Sequence, residues 1–217
     1  MRTKPFVLIV EDHPLYKQAL DSLMRLSFPD AVVASGGTAD EAFAFIDAQD
    51  PQVLAASVLL LDLGLPGLSG LELIDQIHNR YPQLQTVVIS GSDDPLRVSV
   101  CLGAGVKAFV SKSTPPDRIV ELIGRALRGQ AGNATWLTAE GPRNLDSLQR
   151  VHLTSRQVQV LGLICQGYTN KQIADALQII EATAKAHVSA IFKELGVLSR
   201  TQALLAAQRL GFKEPQG

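Results

Sequence analysis

The strongest constraint on the fold is an alternation running through the first 130 residues. Five short apolar runs, at 5–10, 31–34, 58–61, 86–90 and 107–110, are separated by segments whose apolar residues recur at helical spacing. Uninterrupted runs of this length predict strands buried on both faces. Strands that alternate with helices predict a parallel sheet covered on both sides, a doubly wound α/β domain. The helices are expected over 15–26, 38–48, 70–80, 95–102 and 116–128. Thr38 is placed to cap the second, with Glu41 three residues on.

Periodicity then fails between about 129 and 149, where Gly, Asn, Pro and Thr are interspersed, so this stretch reads as a linker. Its Trp136, the one Trp of the chain, reads as a packing contact. From 150 onward the pattern is helical throughout. The expected domains are 1–129, a linker at 130–149, and 150–217. The net charge of −1 hides an asymmetry: residues 1–149 sum to −5 and residues 150–217 to +4. An acidic half joined to a basic one suggests a cation-binding or interaction domain coupled to a domain that meets an anion. Cys101 and Cys165 lie far apart in apolar helical contexts, which reads as reduced thiols. No run approaches the roughly 18 apolar residues of a membrane span. The expectation is a cytoplasmic protein with no membrane partner.

In doubly wound domains ligands bind beyond the carboxyl ends of the strands. The residues there are Glu11 and Asp12 after the first strand, Asp62 after the third, Ser90 and Gly91 after the fourth, and Lys112 after the fifth. Three carboxylates at one edge repel one another and demand a cation or a raised pKa. Hard oxygen donors, few in number, suit Mg²⁺ with a phosphate partner. Asp62 itself ends the apolar run V-L-L-L and is followed by L-G-L-P-G-L-S-G, which stops the strand.

This set of residues resembles the receiver domain of two-component response regulators, over residues 4 to about 130. The carriers are Glu11-Asp12, D-L-G-L-P-G-L-S-G with Asp62, Ser90-Gly91, and F-V-S-K with Lys112. The resemblance implies a flavodoxin-like sheet of five strands in 2-1-3-4-5 order. It implies that Asp62 is phosphorylated by a sensor histidine kinase, with Mg²⁺ held by Glu11, Asp12, Asp62 and the backbone carbonyl of Gly64. Lys112 and Ser90 would contact the phosphoryl group, Gly91 would leave room for the donor imidazole, and Phe109 would move inward as Ser90 turns.

In the second half, Thr154 or Ser155 is expected to cap a helix with Val158, Leu161 and Ile164 inward. A short helix at 170–177 and a three-residue turn lead to a helix over 181–195, with Ala184, Val188, Ile191 and Leu195 on its buried stripe. Ala182, Lys185, Ala186, Ser189 and Lys193 form its other face, small and cationic enough for close approach to a polyanion. Two helices joined by a tight turn fit a helix-turn-helix. G-Y-T-N-K-Q-I-A, T-A-K-A-H-V and S-R-T-Q-A resemble the LuxR-type four-helix DNA-binding domain over about 150–212. By that resemblance Lys185, Ala186 and Ser189 face base edges, and Lys171, Thr183 and Lys193 contact phosphates. His187 is mostly structural. The last helix, 201–210 with Leu204 and Leu205, is the dimer contact. Ile180 stands where the family usually has a capping Ser, and Glu194 where Lys is frequent.

A receiver followed by this domain defines the NarL/FixJ class. The resulting expectation is a phosphorylation-dependent transcriptional regulator, dimeric when phosphorylated, on double-stranded promoter DNA with two half-sites. It would not be an enzyme beyond phosphoryl acceptance and hydrolysis at its own Asp62. The alternative is a constitutive DNA-binding regulator not gated by phosphorylation. A phosphohydrolase using Asp62 would want a second acid two residues on, where Gly64 stands. A small-molecule sensor would want an apolar pocket in the first half, which the acidic edge does not offer.

Overall fold

A computed structural model of the chain describes residues 4–66, 69–130, 134–145, 148 and 151–212. Gly67 in the turn after Asp62, and the parts of the expected linker at 131–133, 146–147 and 149, lie outside the described residues.

Strands β1 (Phe6–Val10), β2 (Val32–Gly36), β3 (Val58–Asp62), β4 (Gln85–Ser90) and β5 (Ala108–Ser111) alternate with helices α1 (Pro14–Ser27), α2 (Ala39–Asp47), α3 (Pro51–Leu54), α4 (Gly70–Arg80), α5 (Pro95–Gly103) and α6 (Pro116–Leu127). The sheet runs β2-β1-β3-β4-β5, all parallel, as expected. Every residue of β1, β3 and β5 is buried, which is why these strands are apolar without alternation. One face carries Val7, Ile9, Leu60, Ile89 and Val110 against Leu20 and Met24 of α1 and Ile119 and Ile123 of α6. The opposite face carries Leu8, Leu59, Leu61 and Val88 against α2, α4 and α5. Thr38 does cap α2, its Oγ1 accepting from the Glu41 N–H.

Among the described residues the sheet has seven strands rather than five. Within the stretch read as linker, β6 (Thr135–Thr138) pairs parallel to β5, with Trp136 beside Phe109. β7 (Gly141–Arg143) folds back antiparallel on β6. Runs of four and three residues are too short to establish a period of two, so the pattern could not announce them. They form because Trp136 and Leu137 bury at the sheet edge and Gly141 takes the positive φ (124°) that the reversal needs. The single-turn α3 lies between the expected second helix and third strand; Asp50 caps it through the Gln52 N–H, with Pro51 at its first position.

The C-terminal helices are α7 (Ser155–Cys165), α8 (Asn170–Leu177), α9 (Glu181–Leu195) and α10 (Arg200–Arg209). Thr154 and Thr169 close capping boxes on α7 and α8. Val158, Leu161, Ile164, Ile173, Ala184, Val188 and Ile191 form their core, which continues through Val151 and Leu153 into the α4–α5 side of the sheet. The two halves therefore share one apolar cluster. Asn79 on α4 donates to Ser155, and the buried Val151 N–H donates to Ser99 Oγ on α5 at 3.1 Å. Among the described residues, no helix is long and apolar enough to cross a membrane.

Candidate functional site

The parallel sheet places Glu11, Asp62, Ser90 and Lys112 at the carboxyl ends of four adjacent strands. Buried apolar residues hold each strand up to its last position, so the polar side chains emerge at one edge. The Lys112 N–H donates to the Ser90 carbonyl at 2.8 Å, fixing the β5 end against the β4 end. Lys112 Nζ lies 2.7 Å from Glu11 Oε2 and 3.1 Å from Asp62 Oδ2, joining two carboxylates that are only 2% and 5% exposed. Its other side meets the Tyr16 ring at 4.9 Å, a cation–π contact.

Burial, and then the charge of Glu11, push the Asp62 carboxyl pKa up; Lys112 and a backbone hydrogen bond from Gly64 offset part of this. Burial works against the Lys112 ammonium too, but its hydrogen bonds and the two carboxylate charges outweigh that, and it titrates above its ordinary value. Burial and the same two carboxylates push the Tyr16 hydroxyl up to about 12, so it stays neutral. The site is one cluster of two acids sharing a single cation.

Asp12 stands beside this pair at the sheet edge. Ligand atoms of Glu11, Asp12, His13 and Asp62 all lie within 4.8 Å of one another. Glu11 Oε2 and Asp12 Oδ1 are buried and accept no well-formed hydrogen bond; the cationic groups near them are Lys112 Nζ and the His13 ring, at 2.7 and 2.9 Å. Three carboxylates against one ammonium leave a net negative site of hard oxygens, which fits a Mg²⁺ ion. His13 is the member that sequence reasoning missed, and its adjacency to Asp12 was the available signal.

Above Asp62 opens a cleft of about 540 Å³ lined by His13, Tyr16, Asp62, Gly64, Ser90, Gly91, Ser92, Arg97 and Lys112 among others. A Cβ at Gly91 would meet nothing within 4 Å, so the cleft is open there. At Gly64 it would lie 3.1 Å from Asp62 Oδ2 and crowd the carboxylate. Ser90 Oγ accepts from the Ser92 N–H at 3.2 Å and so holds the loop that follows β4. Phe109 is wholly buried between Val88 and Trp136 in the sheet. Its ring is already inside, because the added strand β6 covers the edge of β5.

In the helical half, α8 and α9 are joined by residues 178–180, with Gln178 at φ 53°, the one non-glycine of positive φ among the described residues. Ala184, Val188, Ile191 and Leu195 are buried, while Lys185, Ala186, Ser189 and Lys193 are exposed on the opposite face. Lys171 is exposed and Thr183 half-buried. Lys185 pairs with Glu181 one turn earlier at 2.9 Å. Ile180 offers no side-chain cap. Glu194 accepts from the His152 N–H, a structural use for the acid that replaces Lys. The first domain meets the second through α7, the segment before it and the end of α10, whereas Lys185, Ala186, Ser189 and Lys193 of this face are exposed.

Comparison with known proteins agrees with both halves. The response regulator receiver domain family matches residues 7–124, and the family of bacterial regulatory proteins of the luxR type matches residues 151–207. The glycerol metabolism activator of Pseudomonas putida is 31% identical over 220 residues, covering 95% of this chain and 96% of that protein. The nitrate/nitrite response regulator NarL of Escherichia coli K12 is 29% identical, covering 91% and 92%. Among solved structures, an RcsB–DNA complex superposes with a TM-score of 0.61 at 21% identity, covering 94% of this chain and 98% of that one. RcsB of Salmonella enterica serovar Typhimurium, bound to promoter rprA with a phosphomimetic, gives 0.58 at 19%, covering 95% and 99%. At these identities the structural likeness speaks for the fold.

Proposed function

Because the chain belongs to the response regulators that join a receiver domain to a LuxR-type DNA-binding domain, we propose that a sensor histidine kinase phosphorylates it on Asp62 and that this controls its binding to promoter DNA. The division into 1–129, 130–149 and 150–217 belongs to this reading, with the β6–β7 hairpin of the linker docked on the receiver sheet. The observation that carries it is Asp62 itself: a carboxylate anchored by a buried strand at the floor of an open cleft, beside a lysine shared with Glu11.

A carboxylate oxygen of Asp62 attacks the phosphorus of the donor phosphohistidine. The new O–P bond forms as the N–P bond breaks, and the electron pair leaves with the imidazole. Such transfers need in-line positioning and charge neutralisation more than covalent help from the protein. Mg²⁺, when bound, supplies neutralisation and orientation from a site made by Glu11, Asp12, Asp62 and the Gly64 carbonyl. Lys112 keeps its ammonium against the phosphoryl oxygens, Ser90 turns its hydroxyl toward them, and Gly91 leaves the approach clear. Since Phe109 is already inside, the moving part is the loop after Ser90. Lys185, Ala186 and Ser189 would read base edges, with Lys171, Thr183 and Lys193 on phosphates. Paired domains of a phosphorylated homodimer would meet two half-sites about one DNA turn apart.

Incubation with Mg²⁺ and a small acyl phosphate, followed by intact-mass analysis, is expected to add one phosphoryl group to the wild type and none to Asp62→Asn. Equal labelling of both proteins overturns the assignment. The exposure of the α9 face favours a second reading, in which DNA is bound without phosphorylation. That reading predicts one affinity for both forms.

A further inference from the structure

Beyond the residues already placed around Asp62, one cation of the cleft has no part in the reading above. Arg97, in the first turn of α5, lines the cleft together with Asp62, Ser90 and Lys112. Yet its Nε donates at 2.8 Å to the backbone carbonyl of Arg209, the last residue of α10, 112 residues away. That carbonyl lies in the final turn of a helix, where carbonyls lack intrahelical partners and the dipole favours a cation. Arg209 in turn places its guanidinium on Asp94, with Nε 3.0 Å from Oδ2 and Nη2 at 3.1 and 2.9 Å from the two oxygens. Asp94 is also the cap of α5, accepting from the Leu96 and Arg97 N–H groups. One end of α10 is thus held at two points, by its backbone and by its side chain, and both holders belong to the turn that follows Ser90.

We propose that Arg97 is a second phosphoryl-binding residue and that its recruitment to phosphorylated Asp62 releases the end of α10, which rests on the reading of Asp62 as phosphoacceptor. Lys112 already serves both Glu11 and Asp62 before phosphorylation. A phosphoryl group adds charge and three strong acceptor oxygens to the cleft. A planar guanidinium that now spends its Nε on a neutral carbonyl gains a charge-assisted, bidentate-capable partner instead. Ser90 turning toward the same group gives up the Ser92 N–H and frees residues 91–93, all exposed, which lead directly to Asp94. Both holds on Arg209 then loosen together. The exposed α9 face is consistent with this device: the clasp restrains where the DNA-binding domain sits, and so how two copies pair, rather than covering the face.

The test uses the full chain with Mg²⁺ and beryllofluoride as the phosphoryl mimic. Mimic uptake and hydrogen exchange at the amides of residues 209–212 are measured together. In the wild type, the mimic is expected to raise exchange at these amides. Asp94→Asn, which keeps a capping oxygen, should raise exchange without the mimic and take up the mimic more tightly than the wild type, because coupling between the cleft and the clasp is reciprocal. Arg97→Gln should raise exchange and also weaken uptake about tenfold, the scale of one lost charge-assisted hydrogen bond. Arg97→Lys should recover most of the uptake. Wild-type uptake by Arg97→Gln, or unchanged α10 exchange in the mimic-bound wild type, overturns the proposal. Failure of the wild type to take up the mimic overturns the underlying assignment of Asp62 instead.

Discussion

Gly103 offers a perturbation that separates domain docking from site chemistry. It is the last residue of α5, and a Cβ there would lie 2.2 Å from the Val151 carbonyl oxygen and 3.3 Å from its carbon. That is short of van der Waals contact by more than about 1 Å. The obstacle is backbone, so no side-chain rotation relieves it. Alanine is otherwise the better helix former, by about 1 kcal/mol, and the receiver itself is not expected to suffer. The segment at Val151 must therefore retreat, and the buried Val151 N–H bond to Ser99 goes with it. Overpacking of about 1–3 kcal/mol and a lost hydrogen bond of about 1 kcal/mol weaken docking by about 2–4 kcal/mol, roughly 30- to 1,000-fold in the docked equilibrium. Hydrogen exchange in Gly103→Ala should show the Val151 amide unprotected while β1, β3 and β4 keep wild-type protection. Wild-type protection of Val151 in that variant would refute the docked geometry.

Four other outcomes follow from the same contacts. The raised pKa of Asp62 means that its ionisation opposes folding. The penalty grows as the pH rises above the ordinary carboxylate range and vanishes below it. In metal-free buffer at pH 7, Asp62→Asn should therefore melt higher than the wild type, and a thermal scan at pH 3 should show that gain largely gone. Lys112→Met strands Glu11 and Asp62 and should cost about 2–4 kcal/mol at neutral pH in urea titration. Millimolar Mg²⁺ should raise the melting temperature of the wild type, by linkage to the folded state, and that of Asp12→Asn much less. Lys193→Ala should weaken DNA binding on all sequences alike and lower the slope of log affinity against log salt by about one, whereas Ser189→Ala should alter sequence preference.

The receiver sheet was legible because its strands are buried on both faces, and V-L-L-L-D needs no partner to be read. Its edge was not: T-W-L-T and G-P-R are too short for a period, and their pairing depends on Phe109 and Trp136, 27 positions apart. The polar edge was legible because strand ends converge in any parallel sheet, so Glu11, Asp62, Ser90 and Lys112 could be brought together from position alone. That Lys112 bridges both acids, or that Tyr16 lies under it, depends on side-chain directions no spacing records. The α9 stripe was legible from its period. The clasp was not, since Asp94 and Arg209 are separated by 115 residues and neither stands out locally.

The account turns on whether the state of Asp62 governs DNA binding. The most direct measurement is a titration of promoter DNA with the full chain in Mg²⁺, with and without beryllofluoride, for the wild type and Asp62→Asn. Tighter binding with the mimic in the wild type alone is the predicted result. Equal affinity in all four samples would contradict the account and leave a regulator that binds DNA regardless of its acidic cleft.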